Sequence, residues 1–255
     1  MRFASLGSGS KGNALLVAAG QTHVLMDCGF GLRDTLSRLA RLGMAPEQLG
    51  GIVVTHEHGD HIGGVAKLAR KFGVPVWLTH GTLRSQSQAF CGITSLHEIG
   101  PQQAFAIGDL EIIPYPVPHD ATEPVQFVFS DGARKLGVLT DTGSGTPHVE
   151  EMLSACDALV LECNHDHDML MGGPYPYSLK QRVSGRYGHL SNAEAAGILS
   201  RLDKSRLQHL IAAHLSQKNN TPELAVQALC GAMDCTKEWV CVATQELGFG
   251  WREIA

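Results

Sequence analysis

The chain has 255 residues, 44% of them hydrophobic, enough for one large domain or two small ones around a substantial core. A formal net charge of -5 argues against nucleic-acid binding through bulk positive charge, although bound divalent ions would add positive charge where a phosphate docks. Seven scattered cysteines without a C-x-x-C pair argue against a disulfide framework, and no apolar run approaches the ~20 residues of a membrane span, so a soluble cytoplasmic protein is expected.

Apolar runs bounded by turn residues predict strands at 2–6, 13–18 and 22–27, before a helical pattern at 31–42. The loop GSGSKGN between the first two strands reads either as a tight hairpin turn or as a cradle of backbone N–H groups for phosphate. A strand at 51–55 leads into a helix at 61–72 and a strand at 75–78. Strands at 110–115, 125–130 and 134–140 precede a helix at 146–154 and a strand at 158–163. A helix at 192–202 starts at the capping box Ser191-Asn-Ala-Glu194, and one at 222–234 starts at Thr221-Pro222. Strands at 207–213 and 239–244 complete the set. The proline-rich stretch PYPVPHD at 114–120 does not suit a central strand, so two mixed sheets packed together and covered by helices fit better than a regular βαβ ladder. No linker or repeat divides the chain, and a single domain over 1–255 is expected.

Thirteen histidines are the compositional outlier, and three of them crowd the turn VVTHEHGDHIGG. On an extended exit from the strand, His56 and His58 point the same way and can grip one ion. Asp60 and His61 lie past the Gly59 bend and can face a second ion. Glu57 points away by the same alternation. Mixed imidazole and carboxylate ligands suit Zn²⁺, Mn²⁺ or Fe²⁺. Two such ions can share a water, lower its pKa to about 7 and supply hydroxide for hydrolysis, with Asp60 placed to orient it.

His56-x-His58-x-Asp60-His61 resembles the signature of the metallo-β-lactamase fold superfamily, which implies a four-layered αββα sandwich of the α/β class. Other motifs match in order: Asp27 in VLMDCG, His119 in PVPHD, Asp141 in GVLTDTG and His214 in LIAAHLS. The resemblance implies that Asp27 orients the metal-binding turn without being a ligand. It implies His56, His58, His119 and Asp141 on one metal, and Asp60, His61, Asp141 and His214 on the other.

Glu162, then Gly-His189-Leu-Ser, then His214-Leu-Ser resemble the phosphodiesterase branches, notably tRNase Z-like enzymes. There a glutamate and a histidine form a pair beside the metals, and the histidine protonates the leaving alkoxide; the carboxylate favours its cationic form. The Ser191-capped helix offers backbone N–H groups as a phosphate seat. LGSGSKGN, ECNHD, GPYPYSLKQRVSGRYGHLSN and HLSQKNNTPELA resemble the WalJ (YycJ) branch, described as 5′-to-3′ DNA exonucleases. A DNA substrate is the expectation from this resemblance. A small cyclic phosphodiesterase is the alternative, and an iron-dependent redox protein a more distant one. Lys180, Arg182 and Arg186 form a basic cluster able to hold a nucleic-acid backbone. The run NHDHDML at 164–170 reads chiefly as a polar loop rimming the site, with Asn164 and His165 as candidate substrate contacts. No insertion between Asp141 and His214 is large enough for the β-CASP module of RNA-processing relatives, and the arm by which tRNase Z enzymes grip tRNA has no counterpart.

Overall fold

The computed structural model describes all of residues 1–255. Its strands are β1 (Arg2–Gly7), β2 (Ala14–Ala19), β3 (Thr22–Met26), β4 (Gly51–Val53), β5 (Val76–Thr79), β6 (Leu96–Ile99), β7 (Phe105–Ile107), β8 (Leu110–Pro116), β9 (Val125–Ser130), β10 (Lys135–Leu139), β11 (Ala158–Glu162), β12 (His209–Ala213), β13 (Val240–Val242) and β14 (Phe249–Glu253). The helices are α1 (Leu32–Arg41), α2 (Gly59–Ile62), α3 (Val65–Phe72), α4 (His80–Ser85), α5 (Ser87–Phe90), α6 (Pro147–Leu153), α7 (His167–Gly172), α8 (Tyr177–Val183), α9 (Asn192–Arg201) and α10 (Pro222–Met233). No helix is long and apolar enough to cross a membrane, and the seven cysteines are unpaired.

The strands form two seven-stranded sheets, β14-β1-β2-β3-β4-β5-β6 and β13-β12-β11-β10-β9-β8-β7. Each sheet has an antiparallel half and a parallel half: β3 to β6 run parallel in one, β10 to β13 in the other.

Side-chain alternation explains the layering. Val17, Val24 and Met26 of the first sheet meet Phe127, Val138 and Ile211 of the second in a shared core. Leu16 and Leu25, one residue out of phase, face away and pack with Leu39 of α1 and Leu68 of α3. On the far side, Leu159, Leu161 and Leu210 pack with Leu153, Ile198 and Leu229 of α6, α9 and α10. Both faces of both sheets are therefore buried, which is why the central strands read as continuous apolar runs. The result is the expected αββα sandwich.

The helix expected at 61–72 is two pieces, α2 and α3, broken at Gly63–Gly64. Gly64 donates its N–H to the Cys28 carbonyl, and a Cβ there would lie 2.0 Å from the Phe30 carbonyl oxygen. The chain can cross the β3 exit only without a side chain. Unforeseen elements include β6, β7 and β14, three of the outermost strands, and the short helices α4, α5, α7 and α8.

Candidate metal centre

The parallel halves bring their C-terminal strand ends to one edge of the sandwich. Asp27 directly follows β3, and His214 directly follows β12. Asp141 lies just past β10, His119 just past β8, and Glu162 is the last residue of β11. Asp27, Asp141 and His214 have φ of 60°, 52° and 55°, three of the five non-glycine residues at positive φ. Each such conformation costs about 1–3 kcal/mol, and here it turns three side chains at strand ends toward one point.

Four of the five histidines around that point share a design. His61 Nδ1 is 2.8 Å from Asp27 Oδ2, and its Nε2 lies 3.1 Å from Asp141 Oδ2 and 3.6 Å from Asp60 Oδ2. Asp27 also accepts from the Thr55 N–H and hydroxyl, each at 2.8 Å, and the Thr55 hydroxyl lies 2.9 Å from His56 Nδ1. His119 Nδ1 faces the Gly188 carbonyl at 3.1 Å, while its Nε2 lies 3.2 Å from His58 Nδ1. His214 Nδ1 lies 3.0 Å from Glu162 Oε1. His58 turns its Nε2 toward Asp120, at 3.8 Å. Four of the five imidazoles, those of His56, His61, His119 and His214, thus have one nitrogen held from outside and the other aimed inward, the arrangement that fixes ring orientation around a metal. His56 Nε2, Asp141 Oδ2 and His214 Nε2 are buried inward-facing atoms with no hydrogen-bond partner.

The groups within reach of a common ion are His56, His58 and His119; His56, His61 and Asp141; Asp60, His61 and His214; and Asp141, Glu162, His189 and His214. Their charges agree with that use. Burial, reinforced by His61, holds the His56 imidazole well below its usual range, and burial lowers His119 also, so both are neutral donors. Burial opposes the charged form of Asp141, but His214 and His61 hold its carboxyl well below the usual range. Against burial, Asp141 with Asp60 and Glu162 raises His214 to about 10. The buried acids require positive charge between them, which divalent cations can supply in place of imidazole protons. The residues present therefore fit divalent metal ions.

Glu162 is fully buried, and one oxygen serves two partners: Oε1 is 2.8 Å from His189 Nδ1 and 3.0 Å from His214 Nδ1. Its Oε2 accepts from the N–H of Thr142 and of Leu190, both at 3.2 Å. Burial would raise this carboxyl, but the two histidines hold it down at about 2. Burial would lower His189, but Glu162 and Asp141 hold it above its ordinary value. His189 lines an open cleft of about 370 Å³ together with His58, Asp60, Asp141, Arg182 and His214. Its remaining nitrogen, Nε2, is the one available to a substrate.

Several expected substrate contacts do not line this cleft. The Asn164 side chain donates to the His214 carbonyl at 3.0 Å, so it braces the turn behind the metal residues. His165 is buried and closes a backbone bridge to Ser191. Ser191 exchanges hydrogen bonds with Glu194, and the Asn192 N–H goes to the His165 carbonyl at 2.8 Å. The first N–H groups of α9 are thus largely consumed, leaving little of the expected anion seat. Arg186 faces a neighbouring groove. Arg182 does line the cleft, paired with Asp120 at 2.6 Å, while Lys180 is turned back to the Met171 carbonyl. In the run at 164–170, Asp166 caps α7 and His167 and Asp168 are exposed, while none of the run lines the cleft. Glu57 faces away, accepting from the Thr122 N–H at 2.7 Å.

Three residues escaped the sequence reading. Asn13 lies 3.1 Å from His61 Nε2 and 3.3 Å from Asp60 Oδ2, and the Ser8 hydroxyl accepts the His214 N–H at 2.9 Å. The GSGSKGN loop is thus a brace for the metal residues. Asp120 lies between Arg182 and the two histidines His58 and His119. Its adjacency to His119 was the one available signal.

The sequence profile of the "Beta-lactamase superfamily domain" family matches residues 22–212. Exodeoxyribonuclease YycJ of Bacillus anthracis is 35% identical over 229 residues, covering 88% of this chain and 86% of its own length. Exodeoxyribonuclease WalJ of Streptococcus pneumoniae (strain D39) is 34% identical over 230 residues, covering 88% and 85%. The crystal structure of the metallo-β-lactamase fold protein YhfI from Bacillus subtilis superimposes with a TM-score of 0.76 over 99% of both chains at 16% identity, a likeness of fold. With strand ends, ligand-capable turn and relatives matched over most of both chains in agreement, the chain belongs to the metallo-β-lactamase superfamily and, within it, to the family of the YycJ and WalJ exodeoxyribonucleases.

Proposed function

We propose that the chain is a single-domain, dinuclear metal-dependent phosphodiesterase of the cytoplasm that removes nucleotides from DNA ends in the 5′-to-3′ direction. The observation that carries this is the buried Glu162 carboxylate holding His189 by Nδ1 at 2.8 Å at the mouth of the cleft. A lactam or thioester hydrolase has no use for such a pair, whereas a phosphodiesterase must neutralise a non-bridging oxygen and protonate an alkoxide.

His56, His58, His119 and Asp141 would hold one cation, and Asp60, His61, Asp141 and His214 the other, with Zn²⁺ or Mn²⁺ preferred and Fe²⁺ a further option. Bound there, the two cations would supply Lewis-acid charge at the phosphate and lower the pKa of a bound water to about 7. Asp60, at the cleft wall between His61 and His214, is placed where it would accept a hydrogen bond from the attacking water and aim it. His189 Nε2–H binds the phosphate, then passes its proton to the leaving oxygen. Glu162 keeps the ring in register and favours the cationic form that both tasks need. Arg182, exposed beside the cleft, exchanges Asp120 for a backbone phosphate as DNA enters.

The test is digestion of end-labelled duplex DNA with Mn²⁺ or Zn²⁺, with Asp60→Ala as control. Mononucleotides should appear successively from the 5′ end with the wild type only. Turnover of a cyclic dinucleotide without nucleotide release from DNA would assign the site to small phosphodiesters instead.

A further inference from the structure

Three large hydrophobic side chains are exposed, and two of them, Tyr177 and Tyr187, lie in the segment carrying Lys180, Arg182 and Arg186. Tyr187 is 64% exposed and lines a second groove of about 500 Å³, beside the metal-side cleft, with Pro116, Pro118, Ser144 and Arg186. No carboxylate lines this groove, whereas Asp60, Asp120 and Asp141 line the cleft. Arg186 is the groove's one permanent charge.

The two cavities share a wall, and the wall is rigid. The Asp120 N–H donates to the Tyr187 carbonyl at 3.0 Å, and the Ser144 hydroxyl to the Arg186 carbonyl at 3.2 Å. Gly143 donates to the Pro118 carbonyl at 2.8 Å, and a Cβ on it would lie 2.4 Å from the Arg186 carbonyl carbon. The backbone of residues 186–188 is therefore clamped while the tyrosine ring stays open to solvent. One residue, Gly188, separates Tyr187 from His189, which lie at most about 7 Å apart along the chain.

We infer that Tyr187 is a stacking platform for the nucleobase next to the phosphate held at His189, with Arg186 on the following phosphate. This rests on the nuclease reading. A ring face, a guanidinium and an absence of acids suit a single strand of any sequence, because every base has a π-face.

The test compares Tyr187→Ala and Tyr187→Phe on a single-stranded oligonucleotide carrying 2-aminopurine near its 5′ end, and on bis(2,2,2-trifluoroethyl) phosphate, a small diester with no aromatic ring to stack. The wild type should quench the 2-aminopurine on binding. Tyr187→Ala should lose the quench and raise KM for the oligonucleotide by about 5- to 150-fold, with kcat little changed. Tyr187→Phe should restore both, and all three proteins should hydrolyse the small diester equally. An oligonucleotide KM within twofold of wild type in Tyr187→Ala overturns the platform alone. So does an equal loss on both substrates, which would make Tyr187 structural. A wild type that hydrolyses the small diester but no oligonucleotide overturns the nuclease reading and the platform with it.

Discussion

Glu162 Oε1 lies 2.8 Å from His189 Nδ1 and is fully buried, so the charge facing His189 is screened by no solvent. The same oxygen reaches His214 Nδ1 at 3.0 Å. One carboxylate therefore couples a histidine proposed to meet the substrate to a histidine proposed to meet a metal. Changing either histidine should separate the two roles.

His189→Ala removes the proton donor while leaving every proposed metal ligand in place. Bound metal, measured by elemental analysis, should stay at the wild-type stoichiometry. Turnover of DNA should fall by about 10²- to 10⁴-fold, the usual range for a lost general acid. A wild-type rate would remove His189 from the mechanism.

His214→Ala acts on the other side of Glu162. It takes one donor from the group of Asp60, His61 and His214 and none from His56, His58 and His119. Titration should show one tight site kept and one weakened by about 10-fold or more. Two undiminished sites would contradict the proposed division of ligands.

Two packed sheets were legible because their central strands are continuous apolar runs, whereas the four-layered sandwich came from the resemblance. β6, with sequence LHEI, is half exposed and carries two polar residues among four, so it gives no such run. Within the centre, His56, His58, Asp60 and His61 declare themselves because one turn supplies all four. Asp27, His119, Asp141 and His214 stand alone in ordinary strand-end contexts, and only the resemblance picked them out. The loop holding Ser8 and Asn13 was singled out, but their bracing role could not be read, because their partners His214 and His61 lie far along the chain. The α9 terminus shows the opposite failure. Its capping box was read correctly, and that same box uses the N–H groups expected to seat a phosphate.

Gly29 is a position where a single methyl group should reach the metal centre. A Cβ there would lie 1.8 Å from the Asp60 carbonyl oxygen. Gly29→Ala must push the Asp60 turn outward, at a cost of about 1–3 kcal/mol for overpacking. That corresponds to a fall in Tm of about 2–12 °C in a domain of this size, with weaker metal binding. Gly31→Ala, where a Cβ meets nothing within 4 Å, is the control and should change neither. Equal behaviour of the two variants would show that the Asp60 turn is not clamped.

Asp27→Asn tests whether the proton on His61 matters as much as its position. In the native arrangement Oδ1 accepts the Thr55 N–H, and Oδ2 accepts from the Thr55 hydroxyl and from His61 Nδ1–H. That leaves His61 Nε2 as the nitrogen facing Asp60 and Asp141; against burial, Asp141 and Asp27 hold His61 well above its ordinary value, and a cation would take the place of the Nε2 proton. An asparagine keeps the shape but must place an NH₂ at one of the two oxygen positions. At Oδ1 it opposes the Thr55 N–H, so the amide should turn and present NH₂ to His61 Nδ1. The imidazole then carries its proton on Nε2, aimed at the place a cation would occupy. Metal affinity, read by competition with a chromogenic chelator, should fall by about 10- to 100-fold. Far-ultraviolet circular dichroism should stay unchanged, because the sheet cores do not include this group. Asp27→Ala should lose affinity to a similar degree, having no acceptor at all. Wild-type affinity in Asp27→Asn would show that Asp27 holds the loop by shape alone and leaves the His61 tautomer free.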